Sequence, residues 1–187
     1  MAKHEHYIQK LDEEEIKRII KNTSREAAKF LYESNLIEGE ESIEALEDSI
    51  VAWHYANTHR FEEINSDYVK NTHYILMRRL NPGIIGRFRT LDCMVGEKHD
   101  TSNPEDIDGV MEEWCEEFNE VKDSEDKIKE EHIKFMKIHP FEDGNGRTGR
   151  ILMNIQRLNS RYKGLHLFLR ANRPARKGED DYYSWFD

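Results

Sequence analysis

Residues 139–150 of the sequence read HPFEDGNGRTGR, and they determine the local structure around them. Before this stretch, apolar side chains recur at helical spacing, which predicts a helix over about 125–138. That helix must end near His139, because a proline disfavours the helical conformation for the residue before it. The Gly-Asn-Gly sequence at 144–146 predicts a turn, and the helical pattern resumes over about 147–159. We therefore expect a helix–loop–helix unit.

The start of the second helix is suited to binding an anion. The first turn of an α-helix presents unpaired backbone N–H groups and the positive end of the helix dipole. Glycines in the preceding turn let successive N–H groups point into one concavity. Arg147 and Arg150 are three residues apart, so both guanidinium groups can face the same phosphate chain. The predicted phosphate-binding residues are Gly144, Asn145, Gly146, Arg147 and Arg150.

A carboxylate and an imidazole flank this predicted site. Asp143 immediately precedes the turn, where a carboxylate oxygen can hold a Mg²⁺ ion that bridges two phosphates. The side chain of His139, with an ordinary pKa of about 6.5, can take a proton from an attacking hydroxyl near neutral pH. Each feature alone has a structural explanation, since a histidine before a proline often caps a helix and Gly-Asn-Gly often forms a turn. Their combination at this spacing favours an active site.

The remainder of the sequence is predicted to be mostly helical, because apolar residues recur mainly three and four positions apart. Thr23 and Glu26 are expected to form a capping box at the start of one helix. Between Gly86 and Gly96, β-forming residues bounded by glycines predict a short hairpin. The other predicted helices cover about 11–21, 24–37, 41–57 and 67–80, and a further one begins at Pro104, capped by Asn103, and extends to about Val121.

The composition fits one compact domain, since 187 residues can bury a real core. A net charge of -10 argues against DNA or RNA as the main partner, because nucleic-acid binders usually carry a basic surplus. The only two cysteines, Cys93 and Cys115, are too few for a disulfide scaffold. The N terminus lacks the apolar run of a signal peptide, and no apolar stretch is long enough to span a bilayer. We therefore expect a cytoplasmic protein with no membrane partner.

The stretch at 139–150 resembles, position by position, the Fic-domain signature His-x-Phe-x-(Asp/Glu)-Gly-Asn-Gly-Arg-x-x-Arg. Gly86 followed by Phe88 and Arg89 is similar to the start of that family's flap, which usually has a tyrosine in place of Phe88. The resemblance extends over about residues 65–170. It implies a mostly α Fic-type helical bundle with a short β-hairpin flap. On this basis, residues 1–40 are an N-terminal segment that includes an inhibitory helix, and 41–187 form the catalytic core.

Members of this family typically transfer AMP from ATP to a hydroxyl group of a target protein. The resemblance implies that this chain uses ATP and Mg²⁺ and also labels itself. It makes His139 the general base, Phe141 the packing anchor of the loop and Asp143 the Mg²⁺ ligand. It assigns the anion hole to Gly144, Asn145 and Gly146, and it makes Arg147 and Arg150 the residues that bind the phosphates.

The resemblance also assigns a place for the target protein. In the family, the flap pins a target segment by strand addition, so that its Ser, Thr or Tyr hydroxyl lines up with the phosphorus. In this sequence the corresponding residues are Thr90, Leu91, Asp92, Cys93 and Met94.

A second motif lies near the N terminus. Residues 34–39, Ser-Asn-Leu-Ile-Glu-Gly, resemble the family's inhibitory motif (Ser/Thr)-x-x-x-Glu-(Gly/Asn). The resemblance implies that Ser34 and Glu38 belong to this motif, and that Glu38 forms an ion pair with Arg150 that prevents productive ATP binding. The alternative is that Glu38 is one more surface carboxylate in an acidic stretch.

Three alternatives to AMP transfer remain open. In some family members the inhibitory glutamate activates water to remove AMP from a modified target, which would make Glu38 a base. The same site could also transfer another phosphate-linked group. A protein of a different class, a non-catalytic regulator that senses ATP, would have no need of His139.

The oligomeric state is also open, with a homo-oligomer among the alternatives. His132 and His73 are interpreted as packed, structural histidines.

Overall fold

The computed structural model describes residues 7–95, 99–121, 123–160, 162, 164–169 and 179–186. Most of these residues are helical, which confirms the predicted mostly α fold. The predicted segment 1–40 also includes residues 1–6, which lie outside the described residues. In chain order the helices are α1 (Glu13–Asn22), α2 (Arg25–Ile37), α3 (Ile43–Thr58), α4 (Ser66–Met77), α5 (Ile107–Glu120), α6 (Glu125–Ile138) and α7 (Asn145–Asn159).

The start of α2 differs from the prediction. The Ser24 hydroxyl, not that of Thr23, accepts a hydrogen bond from the N–H of Ala27 at 3.1 Å and caps the helix. The Thr23 hydroxyl instead donates to the carbonyl of Ile19 at 2.8 Å, because it follows the last turn of α1. The predicted capping box of Thr23 and Glu26 is therefore wrong.

The predicted hairpin is present but begins later in the sequence. Strand β1 (Met94–Val95) pairs antiparallel with β2 (His99–Asp100). Residues 86–93, which were expected to be part of the hairpin, are not in a strand. The N–H of Arg89 shows the reason, because it donates to the carbonyl of Pro140 at 2.9 Å. This part of the chain bonds to the α6–α7 loop instead of to a neighbouring strand.

Helix α2 belongs to the same hydrophobic core as the rest of the bundle. Its side chains Phe30 and Leu31 are both 1% exposed, and the Phe30 ring meets Trp53 of α3 edge-on. Complete burial of one such side chain stabilises a fold by about 1.5–3 kcal/mol. Helix α2 is therefore held firmly against α3. Every helix in the described residues is too short or too polar to span a lipid bilayer.

A second apolar cluster closes the other side of α7. Here β3 (Leu167–Leu169) pairs in parallel with β4 (Glu179–Asp181), a pairing that the sequence did not predict. Phe168 and Tyr182 are both buried and pack edge-to-face, with ring centroids 5.0 Å apart. His132 of α6 is buried beside them, with Nε2 3.2 Å from the Tyr182 hydroxyl. The interpretation of His132 as a packed histidine is confirmed.

Candidate active site

Two left-handed residues shape the loop between α6 and α7. His139, at the C-terminal end of α6, has φ 51° and ψ 60°, and Gly144, the N-cap of α7, has φ 77°. Such a conformation is strained for histidine and is typical of functional sites. Two features of Gly144 exclude a side chain. Its positive φ is strained for any residue with a Cβ, and a Cβ there would lie 2.8 Å from the Met77 sulfur. The chain turns as the sequence predicts, although α7 begins at Asn145 rather than near Arg147.

The side chain of Asn145 fixes this loop from within. Its Nδ2 donates to the carbonyl of Phe141 at 2.7 Å, and its Oδ1 accepts from the N–H of the same residue at 2.9 Å. Phe141 is fully buried and stacks on the ring of His73, with centroids 3.8 Å apart. Any contribution of Asn145 to an anion site therefore comes from its backbone N–H.

The imidazole of His139 is half-buried and in a defined protonation state. Its Nδ1 lies 3.3 Å from the carbonyl oxygen of Met136. Because a carbonyl only accepts hydrogen bonds, Nδ1 carries the proton and Nε2 of the neutral ring has the lone pair. Burial lowers the pKa of His139 below its usual value, and the charge of Arg89 acts in the same direction. At neutral pH the ring is therefore uncharged and able to accept a proton at Nε2.

Asp143 lies near the end of the α6–α7 loop, two residues before α7 begins. Its Oδ1 accepts from the N–H of Gly144 at 2.5 Å and lies 3.5 Å from Nη2 of Arg147, while its side chain is 56% exposed. Within the described residues, no cluster of three or more His, Cys, Asp or Glu side chains could hold a metal ion. Mg²⁺ is commonly held by one or two carboxylates, with phosphates and waters as the other ligands. The exposed carboxylate of Asp143 is the kind of single protein ligand that such an ion takes.

Arg147 is buried, and no described residue offers it a close anionic partner. Its side chain is 6% exposed, and its shortest ion-pair distance is 3.5 Å, to Asp143. Its Nε is buried and has no hydrogen-bond partner in the part of the chain that the structure describes. Burial also lowers the pKa of this guanidinium. A buried, under-satisfied cation is costly, so the surroundings of Arg147 favour an anionic ligand.

Arg150 is bound by the C-terminal end of α2. Its Nε donates to the Ser34 hydroxyl at 2.8 Å, and its Nη2 donates to the Ser34 carbonyl at 2.8 Å. The same Nη2 donates to Oε1 of Glu38 at 2.7 Å. The guanidinium is fully buried and also lies over the ring of Tyr182, 4.5 Å from its centroid. The structure thus brings together Ser34, Glu38 and Arg150.

The carboxylate of Glu38 lies directly on the first turn of α7. A Cβ at Gly146 would collide with Oε1 of Glu38. The N-cap residue of α7 is Gly144, which has no side chain to satisfy the N–H groups of that turn. Negative charge is favoured at a helix N-terminus, which explains why the carboxylate is stable there. Glu38 therefore places an anion where the sequence predicts a phosphate.

His73 holds the loop from α4. Its Nδ1 accepts a hydrogen bond from the N–H of Gly86 at 3.1 Å, so its Nε2 carries the proton and donates to the carbonyl of Asp143 at 2.9 Å. Burial lowers the pKa of His73 to about 4. The sequence indicated a structural histidine here, but not its connection to the loop, because the two residues are 70 positions apart.

Arg89 also contacts this loop, although the sequence gives it no role in the site. It is only 2% exposed, and its Nε donates to the carbonyl of His139 at 2.7 Å. The signal was present, since Arg89 belongs to the short flap motif. Nothing in the sequence showed that it would be buried against the α6–α7 loop.

The residues predicted to bind a target segment lie between Arg89 and β1. Leu91 is 69% exposed, which is unusual for a large apolar side chain. Met94 is the first residue of β1, and its side chain lies outside what the structure describes. The others are exposed or half-buried, namely Thr90, Asp92 and Cys93.

Comparison with protein families gives one match that covers half of the chain. The family described as Fic/DOC matches residues 63–156, a range that includes the α6–α7 loop and both arginines.

Curated relatives are similar over a comparable part of the sequence. The chain is 29% identical over 102 residues to the protein adenylyltransferase fic-1 of Caenorhabditis elegans, covering 53% of this chain and 20% of that protein. It is 33% identical over 97 residues to the protein adenylyltransferase Fic of Nematostella vectensis, covering 50% of this chain and 22% of the relative. The chain thus spans about a fifth of the length of these relatives.

Solved structures show the same fold. A Fic domain containing signaling protein from Bacteroides thetaiotaomicron superimposes with a TM-score of 0.60 at 20% identity, covering 80% of this chain and 68% of that chain. Fic-1 from C. elegans superimposes with a TM-score of 0.57 at 21% identity, covering 75% of this chain and 51% of that chain. At these identities the similarity concerns the fold alone.

Proposed function

This chain belongs to the Fic/DOC family, and we propose that it is a protein adenylyltransferase that transfers AMP from ATP to a hydroxyl group of a target protein. The names of relatives at 29% and 33% identity support this activity. One structural observation carries the proposal. The neutral base His139 and the buried guanidinium groups of Arg147 and Arg150 all come under the influence of one carboxylate, since the charge of Glu38 acts on His139 and Arg147 and Glu38 binds Arg150 at 2.7 Å.

The first turn of α7 would bind the phosphates of ATP. Its N–H groups follow the glycine N-cap Gly144, and Gly146 lets another group approach the backbone closely. Arg147 and Arg150 add two positive charges from the first and second turns of α7. Fixed N–H groups and guanidinium groups stabilise charge that develops on the α-phosphate and on departing pyrophosphate, without reorganising during the reaction.

His139 would move the proton. The oxygen of the target hydroxyl attacks the α-phosphorus, and the bond from that phosphorus to the pyrophosphate oxygen breaks. The hydroxyl proton passes to Nε2 of His139, whose Nδ1–H faces the Met136 carbonyl. A base that is neutral at pH 7 is ready to accept this proton. AMP is then linked to the target through a phosphodiester, and pyrophosphate leaves.

Asp143 would hold Mg²⁺ together with the phosphates, as its exposed carboxylate just before α7 suggests. When bound, the ion would neutralise negative charge on the triphosphate. The contribution of the chain itself is to hold this carboxylate in place, through the N–H of Gly144 and the bond from His73 to the Asp143 carbonyl.

We also propose that Glu38 restrains the enzyme. Its carboxylate occupies Arg150 at 2.7 Å and lies against Gly146, so a phosphate would have to displace it. Because α2 belongs to the hydrophobic core, the restraint would be relieved by movement of the Glu38 side chain rather than by release of the helix. The N-terminal segment 1–40 and the region 41–187 would then work as parts of one domain.

The flap would present the target. Thr90, Leu91 and Asp92 are exposed beside the segment that contacts the α6–α7 loop, and β1 begins two residues later at Met94. A target strand added to this edge would place a Ser, Thr or Tyr hydroxyl near His139. The exposed side chain of Leu91 would contribute an apolar contact.

Removal of AMP is the second candidate reaction, and the position of Glu38 favours it over the remaining alternatives. A carboxylate at the edge of the phosphate site could activate water for hydrolysis of the target–AMP bond. Transfer of another phosphate-linked group would use the same residues. A pure ATP sensor is disfavoured, because it would not need the strained, neutral His139.

Labelled ATP tests the proposal. The Glu38→Gly protein would be incubated with Mg²⁺ and ATP labelled at either the α- or the γ-phosphate. We expect protein-bound label from α-labelled ATP only, and none when His139→Ala is added. Label from γ-labelled ATP would identify phosphoryl transfer, and label that persists without His139 would assign the base to another residue. Faster release of AMP from a pre-labelled protein by wild type than by Glu38→Gly would establish hydrolytic removal of AMP.

A further inference from the structure

Arg89 is a buried cation that the proposed reaction does not use. Its side chain is among the largest that are fully enclosed, at 2% exposure. Its partners among the described residues are backbone carbonyls and one hydroxyl, so it is held as a hydrogen-bond donor to the main chain. A buried guanidinium is costly unless its N–H groups are satisfied, and its planar, five-donor geometry suits it to bind several carbonyls at once.

One set of these bonds closes the C-terminal end of α6. Arg89 Nε donates to the carbonyl of His139 at 2.7 Å, and Nη2 lies 3.4 Å from the carbonyl of Ile138. The backbone N–H of Arg89 donates to the next carbonyl, that of Pro140, at 2.9 Å. The last carbonyls of a helix lack partners within it, and positive charge is favoured there. Arg89 therefore caps α6 at the residue whose backbone is strained, His139 with φ 51°.

The other set of bonds joins the two ends of the flap. Arg89 Nη1 donates to the carbonyl of Leu91 at 2.7 Å, and Nη2 donates to the Thr101 hydroxyl at 3.0 Å and to the carbonyl of Ser102. The Thr101 hydroxyl in turn donates to the carbonyl of Cys93 at 2.6 Å. One side chain thus connects the entry and the exit of the hairpin to the end of α6.

We propose that Arg89 is a positioning residue that sets the place of His139 relative to a hydroxyl presented on the flap. The inference rests on the proposed function, in which His139 is the base and the flap holds the target. Because the same guanidinium binds the flap and the backbone of His139, a shift of the flap moves His139 with it, and the position of one relative to the other is kept. Lysine cannot replace it, since a single ammonium on a flexible stem cannot reach both sets of carbonyls in a fixed geometry.

The test compares Arg89→Met and Arg89→Lys with a matched control, Arg87→Met, in the full chain carrying Glu38→Gly. Arg87 is exposed and lies two positions away, so the control removes the same charge from the same segment. Far-UV circular dichroism and thermal unfolding verify that each variant is folded. If Arg89→Met does not fold, Arg89→Lys, which retains the charge, decides the question by the same criteria.

The first readout does not depend on activity. The N–H of His139 donates to the carbonyl of Phe135 at 3.0 Å, and its hydrogen exchange, followed by NMR, reports the end of α6. We expect faster exchange at His139 in both Arg89 variants and no change in Arg87→Met. Equal exchange in all of them would overturn the proposal. This readout keeps its meaning even if the Glu38→Gly protein transfers no AMP, an outcome that would refute the proposed function alone.

The second readout is the rate constant of self-labelling with α-labelled ATP. A misplacement of about 1 Å costs on the order of a hundredfold in rate, so we expect a tenfold to hundredfold loss in both Arg89 variants. The affinity for ATP should not change, since Arg147 and Arg150 are untouched. In Arg89→Met the acid limb of the pH–rate profile should also move to higher pH, because the cation that helps to lower the pKa of His139 is gone. Labelling by either variant at the rate of Arg87→Met would overturn the proposal.

Discussion

The guanidinium of Arg150 donates to the carboxylate of Glu38 at 2.7 Å, although the two residues are 112 positions apart in the sequence. This contact joins the C-terminal end of α2 to the second turn of α7. Arg150 is fully buried, and its Nη1 has no hydrogen-bond partner among the described residues. A γ- or β-phosphate of ATP would therefore compete with Glu38 for one nitrogen of this guanidinium while satisfying another.

Removal of the Glu38 carboxylate should strengthen ATP binding. A hydrogen bond to a charged group contributes about 1.5–3 kcal/mol, and the Glu38 side chain is 33% exposed, so we expect a gain in affinity on the order of tenfold in Glu38→Gly. Glu41→Gly is the matched control, because Glu41 is exposed and lies in the same acidic stretch. Isothermal titration calorimetry with Mg-ATP measures both. Equal affinities in the two variants would show that Glu38 does not compete with ATP for Arg150.

The pH dependence of labelling should report a histidine with a lowered pKa. Burial and the charge of Arg89 lower the pKa of His139, and only the neutral ring accepts a proton. The rate in the Glu38→Gly background should therefore rise with pH, reach half its maximum below pH 6.5, and stay level above it. His139→Ala should lose about a hundredfold or more. A profile with its midpoint above 6.5 would contradict the neutral base.

Replacement of His73 should flatten the pH dependence of stability. Burial lowers the pKa of His73 to about 4, so between about pH 4 and 6.5 the unfolded state binds more protons than the folded state. The free energy of unfolding therefore has its full value above pH 6.5. Below that pH it falls as the pH drops, by up to about 1.4 kcal/mol per pH unit from this histidine. Urea unfolding across this range should show a smaller slope in His73→Gln than in wild type.

A second variant separates titration from hydrogen bonding at the same position. His73→Phe keeps an aromatic ring against Phe141 but loses the bonds to Gly86 and Asp143. Each buried polar group left without a partner costs about 1–3 kcal/mol, so this variant should be less stable than wild type at neutral pH. A slope equal to that of wild type in both variants would show that His73 does not titrate in this way.

Alanine at two left-handed glycines should have unequal effects. Gly39 has φ 74°, and among the described residues, apart from its chain neighbours, no atom lies within 4 Å of the position that a Cβ would take, so Gly39→Ala should cost only the conformational strain, about 1–2 kcal/mol. Gly144 has φ 77°, and its Cβ would also meet the Met77 sulfur at 2.8 Å. Gly144→Ala should lose a further 1–3 kcal/mol or so from overpacking. Denaturant unfolding of both variants checks this, and equal losses would contradict the close approach of Met77 to the loop.

Chelation of Mg²⁺ should stop labelling in wild type and in Glu38→Gly alike. Asp143 is the carboxylate that the loop presents, and Mg²⁺ would share it with the phosphates. Asp143→Asn removes the charge but keeps an oxygen for the N–H of Gly144, so the loop should remain folded. We expect this variant to need a higher Mg²⁺ concentration for half-maximal labelling. Labelling that resists chelation would exclude Asp143 as a metal ligand.

Much of the fold was predictable because local signals and tertiary packing agree. The end of α6 at His139 follows from Pro140, and the restart at α7 follows from the glycines. The Fic resemblance and the helical fold are confirmed. The hairpin was placed too early, because the segment around Arg89 has β-forming residues but bonds to the α6–α7 loop. Local propensity does not reveal such a long-range partner.

The parts of the site that the sequence did not reveal all depend on contacts between distant residues. His73 and Asp143 are 70 positions apart, and Arg89 and His139 are 50 positions apart. Periodicity places a histidine on the buried face of a helix but cannot name its hydrogen-bond partner. The burial of Arg89 was also unexpected, since arginine is rarely fully buried unless its donors are satisfied. Only the folded chain brings several carbonyls within reach of it.

Mass spectrometry of the Glu38→Gly protein after incubation with Mg-ATP detects the proposed transfer of AMP directly. If the α6–α7 loop binds the triphosphate and His139 activates a hydroxyl, the intact protein gains the mass of AMP, and fragmentation locates it on a Ser, Thr or Tyr side chain. The Glu38→Gly, His139→Ala double variant should gain nothing. No added mass on the Glu38→Gly protein, or the mass of a single phosphate in place of AMP, would refute AMP transfer by this site.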